Sequence, residues 1–137
     1  MNYDRGMLIL KEKDVFPYMR FPQYSFLRYG WKKIRPHQYK RETFEHFVSK
    51  ACLGKLILNL GDGLFTEYEY PNCNVIDVLQ IKKRTKELIG YQIETGYFKE
   101  KEFYNTDVIV INLKKAPKPV LDAFDILKDY FGRFVVE

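Results

Sequence analysis

The hydrophobic pattern changes period several times along the chain. Met7-Leu8-Ile9-Leu10 is a short apolar run that predicts a strand. Pro17, Pro22 and Pro36 punctuate the next stretch, so residues 15–36 read as irregular or turn-rich. From about Gln38 the period becomes helical. Phe44, Phe47, Val48, Ala51, Cys52 and Leu56 recur at i, i+3, i+4 and i+7, and Gly61-Asp62-Gly63 stops the helix near Asn59–Gly61. Strands follow over 64–70, 74–82 and 88–95. The last two are joined by the polar segment Lys83-Arg84-Thr85-Lys86-Glu87 and predict an antiparallel hairpin. Residues 98–105 read as a short helix. The nearly continuous apolar run 107–113 reads as a buried strand. Val120, Leu121, Phe124, Leu127, Tyr130 and Phe131 have helical spacing after Pro117 and Pro119, and Phe134-Val135-Val136 predicts a last edge strand.

This order predicts an α/β (α+β) single domain, with a central mixed sheet flanked by helices. The length of 137 residues suits one domain with a core of its own. At 46% hydrophobic and 30% charged the composition is that of a globular protein. Two cysteines, Cys52 and Cys73, are too few for a disulfide scaffold and have no zinc-ligand spacing with His37 or His46. They read as two buried thiols. The acidic and basic residues around 7–10 do not match a signal peptide, and no run approaches the ~20 apolar residues that span a bilayer. An intracellular protein with no membrane partner is expected, located in the cytoplasm, or in the host cytoplasm if viral. The abundance of Lys, Tyr, Phe and Ile is compatible with an AT-rich archaeal or viral genome.

Charge alters this picture more than composition does. Residues 1–41 hold ten Lys/Arg against three Asp/Glu, a net of +7, while residues 42–137 hold thirteen against fifteen, a net of −2. Nine of the 23 aromatics also lie in the first 41 residues. The densest part contains Arg28, Lys32, Lys33, Arg35, Lys40 and Arg41, with Tyr29, Trp31 and Tyr39 interleaved and no acid among them. Basic groups neutralise phosphates and aromatics stack on bases, so this segment is a candidate nucleic-acid grip. An aromatic arm packed on the body with its lysines in solvent explains it equally well. The chain therefore divides into a basic aromatic extension, residues 1–37, and an α/β core, residues 38–137.

The candidate chemistry lies on the predicted hairpin. Asp77 interrupts Val75-Ile76-Asp77-Val78-Leu79, and a carboxylate there must be solvated, paired or bound to metal. Gln92 and Glu94 share one face of the next strand, so a hairpin lets Asp77, Gln92 and Glu94 converge near one end. Two carboxylates with an amide between them suit a hard cation, and a water on such an ion can attack a phosphodiester. Glu67 and Glu69 read as a solvated strand face, and the basic turn 82–86 as an exposed loop.

The element order over about residues 38–115, with Asp77 on one strand and Gln92-Ile93-Glu94 on the next, resembles the PD-(D/E)xK nuclease superfamily, which includes archaeal Holliday-junction resolvases and restriction enzymes. The resemblance implies a restriction-endonuclease-like fold. It makes Asp77 the first metal ligand, puts Gln92 at the second acid and Glu94 at the lysine, and matches Glu45 to a helical acid that many members add. Ile93-Glu94-Thr95-Gly96 also looks like a stretch in archaeal members. The acid-x-Lys motif is absent in strict form. The implied function is a metal-dependent DNA endonuclease or junction-resolving enzyme, a hydrolase in which Asp77, Glu94 and the Ile93 carbonyl hold Mg²⁺ or Mn²⁺, Gln92 orients a water and Glu45 supports the shell. DNA is the implied partner, and a homodimer is the implied assembly. The alternative is a non-catalytic DNA-binding or assembly protein on the same fold with a degenerate site. A third class, an interaction protein whose aromatics build an oligomer interface, fits the composition as well.

Overall fold

Asn2 caps the first helix by accepting a hydrogen bond from Arg5 N at 2.9 Å, and α1 runs Tyr3–Glu12 with Gly6, Ile9 and Leu10 buried. The strand expected over 7–10 is therefore one side of a helix. In this computed structural model, residues 1–16, 23–24, 31–35, 38–41, 43–94, 96, 100–115, 125–126 and 129–134 are described. After α1 come β1 (Gln23–Tyr24), β2 (Trp31–Arg35) and β3 (Gln38–Arg41). The described parts of residues 15–36 thus include strand, and the segment beginning at Gln38 is a strand before it is a helix.

The second helix, α2, spans Phe44–Asn59 behind an N-cap at Thr43. It ends where expected: Gly61 takes a left-handed φ of +78°, and its N–H closes on the Leu58 carbonyl at 2.9 Å. Four seven-residue strands follow: β4 (Gly63–Glu69), β5 (Val75–Ile81), β6 (Leu88–Glu94) and β7 (Thr106–Asn112). A short 3-10 turn, Leu113–Lys115, closes the series.

The domain is a small α+β unit with a mixed sheet and helices. The sheet order is β1-β4-β5-β6-β7, in which β4, β5 and β6 form an antiparallel meander and β7 runs parallel to β6. The hairpin of β5 and β6 has the expected place, with Ile81 opposite Leu88. β2 and β3 form a separate two-stranded antiparallel ribbon beside β4 and β5.

Each face of the meander has its own apolar cluster. Ile9, Leu10 and Val15 join Phe65, Tyr68, Tyr70, Ile76, Leu79, Ile81, Leu88 and Phe103 on the α1 face. Ile57 and Leu53 of α2 join Leu64, Val78, Tyr91 and Ile93 on the other. The first helix and β1, which pairs Gln23 with Thr66, thus pack into the same body as the sheet.

Three further expectations differ from the structure. Residues 100–105, placed in a short helix, form no helix, and residues 97–99 lie outside the described set. Among the described residues β7 is the outermost strand of its sheet, with Val108, Ile109 and Val110 39%, 47% and 43% exposed, so its unbroken apolar run does not mark burial. Cys52 is exposed and Cys73 half-buried, and both are free thiols. Of the helix expected over 119–131, residues 125–126 and 129–131 are helical and the remainder lies outside the described residues. So do residues 135–136 of the last expected strand. Among the described residues no helix is long and apolar enough to cross a membrane.

Candidate metal centre

The site begins with a fault in strand alternation. In a regular strand, side chains of like parity share a face. On β4, Phe65 and Tyr68 both join the α1-face cluster although three residues apart, and Glu67 between them takes φ +50°. On β5, Ile76 joins that cluster while Val78 joins the other. The register pairs Thr66 with Val78 and Tyr68 with Ile76, so Glu67 and Asp77 stand opposite each other where both strands change face.

The hairpin opens at the same level. Its backbone ladder runs from Ile81–Leu88 to Val78–Tyr91 and stops. Beyond it, side chains replace backbone partners. The Ile93 N–H donates to Asp77 Oδ2 at 2.7 Å, and the Asp77 N–H donates to the Gln92 side-chain oxygen at 3.4 Å. Asp77 is fully buried and Gln92 nearly so. Each side chain thus satisfies a backbone group that the separation of the strands would leave without its ladder partner.

Helix α2 supplies the other half. Its cap, the Thr43 hydroxyl accepting from His46 N at 3.2 Å, fixes the first turn. His46 and Lys50 are one turn apart and therefore lie on one side of the helix. Both are buried against the sheet. His46 Nε2 lies 3.2 Å from Asp77 Oδ1, and Lys50 Nζ donates to Glu67 Oε1 at 3.0 Å. The four ionisable groups are 5% exposed or less. Burying that much charge is costly unless the charges meet one another.

His46, Glu67 and Asp77 each offer a donor atom, and the three atoms lie within 4.8 Å of one another. One imidazole nitrogen and two carboxylates form a usual donor set for a divalent metal. The 3.2 Å between His46 Nε2 and Asp77 Oδ1 also suits neighbouring donors, because bonds of about 2.1 Å at right angles separate two ligand atoms by about 3.0 Å. The three side chains are therefore close enough to be candidate ligands.

Not every residue expected at the site is brought here. Asp77 is at its centre. Gln92 touches the backbone of Asp77, and Ile93 contributes its N–H. Glu94, half-buried beside Asn112 of β7, is outside the His46–Glu67–Asp77 group, and so is the half-buried Glu45 next to His46. Glu67 and Glu69, expected on a solvated face, are 5% and 2% exposed. His46, Glu67 and Lys50 are the additions. The available signal was a histidine and a lysine spaced i, i+4 on an otherwise apolar helix stripe. Of the basic segment, Lys32, Lys33 and Arg35 are on β2, Lys40 and Arg41 are on β3, and Lys32 is opposite Lys40; Arg28 lies outside the described residues. No family model matches the chain, and no curated protein or solved structure matches it.

Proposed function

We propose that this chain is a metal-dependent DNA endonuclease or junction-resolving enzyme of PD-(D/E)xK type, hydrolysing phosphodiester bonds with Mg²⁺ or Mn²⁺. The observation that carries this reading is the meeting of His46, Glu67 and Asp77 where β5 and β6 separate. Asp77, Glu67 and His46 would hold the cation. A bound divalent ion polarises a phosphoryl oxygen and lowers the pKa of a water molecule.

The chain's own residues set the geometry. The Ile93 N–H holds Asp77 by Oδ2 and leaves Oδ1 toward His46. Gln92 fixes the Asp77 backbone, which explains an amide at this position: it accepts from a backbone N–H without adding a third buried carboxylate. Lys50 orients Glu67 and places a cation within the same buried group. The β2–β3 ribbon brings five Lys/Arg positions beside the two strands that carry Glu67 and Asp77, which suits a grip on the phosphate backbone. Glu94 and Glu45 would act at the periphery, and assembly as a homodimer belongs to the same reading.

A second reading has its own observation. Lys50 meets Glu67 and His46 meets Asp77, so these buried groups are paired within the chain itself, as a chain that had lost catalysis would require. It makes the protein a non-catalytic DNA binder.

Cleavage of linear, supercoiled, single-stranded and four-way-junction DNA with Mg²⁺, Mn²⁺ or EDTA separates the two. Metal-dependent cutting that is lost in both Asp77→Asn and Glu67→Gln is the result expected for the enzyme. DNA binding without cutting in every metal, and without metal uptake by calorimetry, establishes the second reading instead.

A further inference from the structure

The densest cationic run among the described residues outside the ribbon is Lys82-Lys83-Arg84-Thr85-Lys86, the turn between β5 and β6. The turn is closed by Lys82 N–H to the Glu87 carbonyl and Lys86 N–H to the Lys82 carbonyl, both 2.9 Å, with Lys86 at φ +62°. One of its four cations is directed away, since Lys86 Nζ lies 3.3 Å from Glu12 Oε2. The other three, Lys82, Lys83 and Arg84, line a cavity of about 460 Å³ together with Leu60, Asp62, Thr85 and Glu87. None of the three forms an ion pair among the described residues.

The floor of this cavity is built. Asp62 is 5% exposed, and its two oxygens accept from Lys83 N at 3.0 Å and Gln80 Nε2 at 2.8 Å. Gln80 Oε1 in turn accepts from the Tyr91 hydroxyl at 2.7 Å. The carboxylate is therefore spent on holding the turn. Gly61 leaves room for the Lys83 side chain: a Cβ there would stand 3.1 Å from Lys83 Nζ. The lining carries three cations against two carboxylates, Asp62 held in its hydrogen bonds and Glu87 on the turn, and an anion among the cations relieves their mutual repulsion. The volume is within the usual range of small-molecule sites and exceeds what a bare phosphate needs. Leu60, 56% exposed, offers an apolar wall for the surplus.

We propose that this cavity binds the phosphate of a nucleotide through Lys82, Lys83 and Arg84, with the base against Leu60. The nucleotide is either free or one unit of a nucleic-acid strand. The inference does not require the hydrolytic reading, because the cavity is separate from the metal centre. Five extended residues from Asp77 to Lys82 span about 17 Å, and the helix from His46 to Leu60 spans about 21 Å.

The test is an amide-resolved NMR titration of the full chain at low salt with adenosine monophosphate, with orthophosphate and with a twelve-nucleotide single strand. Shifts are expected at Gly61, Lys83, Arg84 and Thr85, with the mononucleotide binding more tightly than orthophosphate. Lys83→Gln and Arg84→Gln should each weaken binding by about tenfold, the scale of a charge-assisted hydrogen bond. Lys86→Gln removes the same charge from the same turn, but its side chain is already paired with Glu12, so it should change affinity less than about twofold. Competition between the strand and the mononucleotide assigns the site to a strand unit; mononucleotide binding without competition assigns it to a free nucleotide. Equal weakening by all three substitutions, or no response at the cavity to any probe, overturns the proposal.

Discussion

On the α1 face the meander buries Phe65, Tyr68, Tyr70, Ile76 and Leu79, with rings in edge-on contact from Phe65 through Tyr68 and Tyr70 to Phe103. On the α2 face the same strands bury Glu67 and Asp77 against His46 and Lys50. One face gains stability from every group it hides. The other hides, beside its own apolar cluster, charges of a kind that apolar side chains of similar volume often replace at no cost or at a gain. The difference makes the α2 face the candidate site, because a stability-neutral or costly arrangement on a well-packed sheet calls for a reason other than folding.

The largest effect expected is Lys50→Met, which leaves the Glu67 carboxylate buried without its ammonium and should cost about 3–5 kcal/mol in denaturant unfolding. The double variant Lys50→Met/Glu67→Leu should recover most of that loss. If it does not, the α2 face is a stabilising network and the contrast between the faces fails. Next, Leu79→Ala on the α1 face should cost about 2–5 kcal/mol with cleavage of surviving folded protein unchanged. A selective loss of cleavage there would show that the faces are coupled.

Asp77→Asn gives the converse. It should lower metal-dependent cleavage at least about 10²-fold, the size of losing one preorganised charge at a reacting centre, with a smaller change in unfolding free energy than Leu79→Ala. The smallest effect is alkaline. Burial pushes the Tyr68 and Tyr70 phenols far above their usual range. Their folded pKa values exceed the unfolded value of about 10, so above about pH 10 the unfolded chain releases protons that the fold retains, and stability falls as pH rises. Tyr70→Phe should cost about 1 kcal/mol at neutral pH, for the lost hydrogen bond to Thr106, and flatten the alkaline limb of unfolding measured by circular dichroism.

Much of the central topology was legible because its signals are local. The breaker at Gly61-Asp62-Gly63 ended α2, and alternation with a polar loop marked the β5–β6 hairpin. The first helix was missed because Met7-Leu8-Ile9-Leu10 is contiguous; only the Asn2 cap, with Asp4 in the first turn and Lys11 in the last, indicates a helix. β7 misled for another reason. A parallel edge strand and a central one have the same composition, and what covers an edge is decided elsewhere in the chain. At the site, Asp77 stood out as a lone charge in an apolar strand. Glu67 did not, because strict alternation put it beside Glu69 on a wet face, and the slip at φ +50° that turns it inward has no residue signature. His46 has no ligand spacing to either cysteine, and its partner is a carboxylate 31 positions away, which no local pattern marks.

The matched change of face at Glu67 and Asp77 also constrains where the two strands can change length. Deleting one residue near either position shifts the parity of the side chains beyond it; at Glu67 this turns Tyr68 and Tyr70 away from the α1 face. A matching deletion across the ladder keeps the two strands in step with each other. A change in length at one of these two places therefore calls for a matching change at the other if the strands are to stay in register.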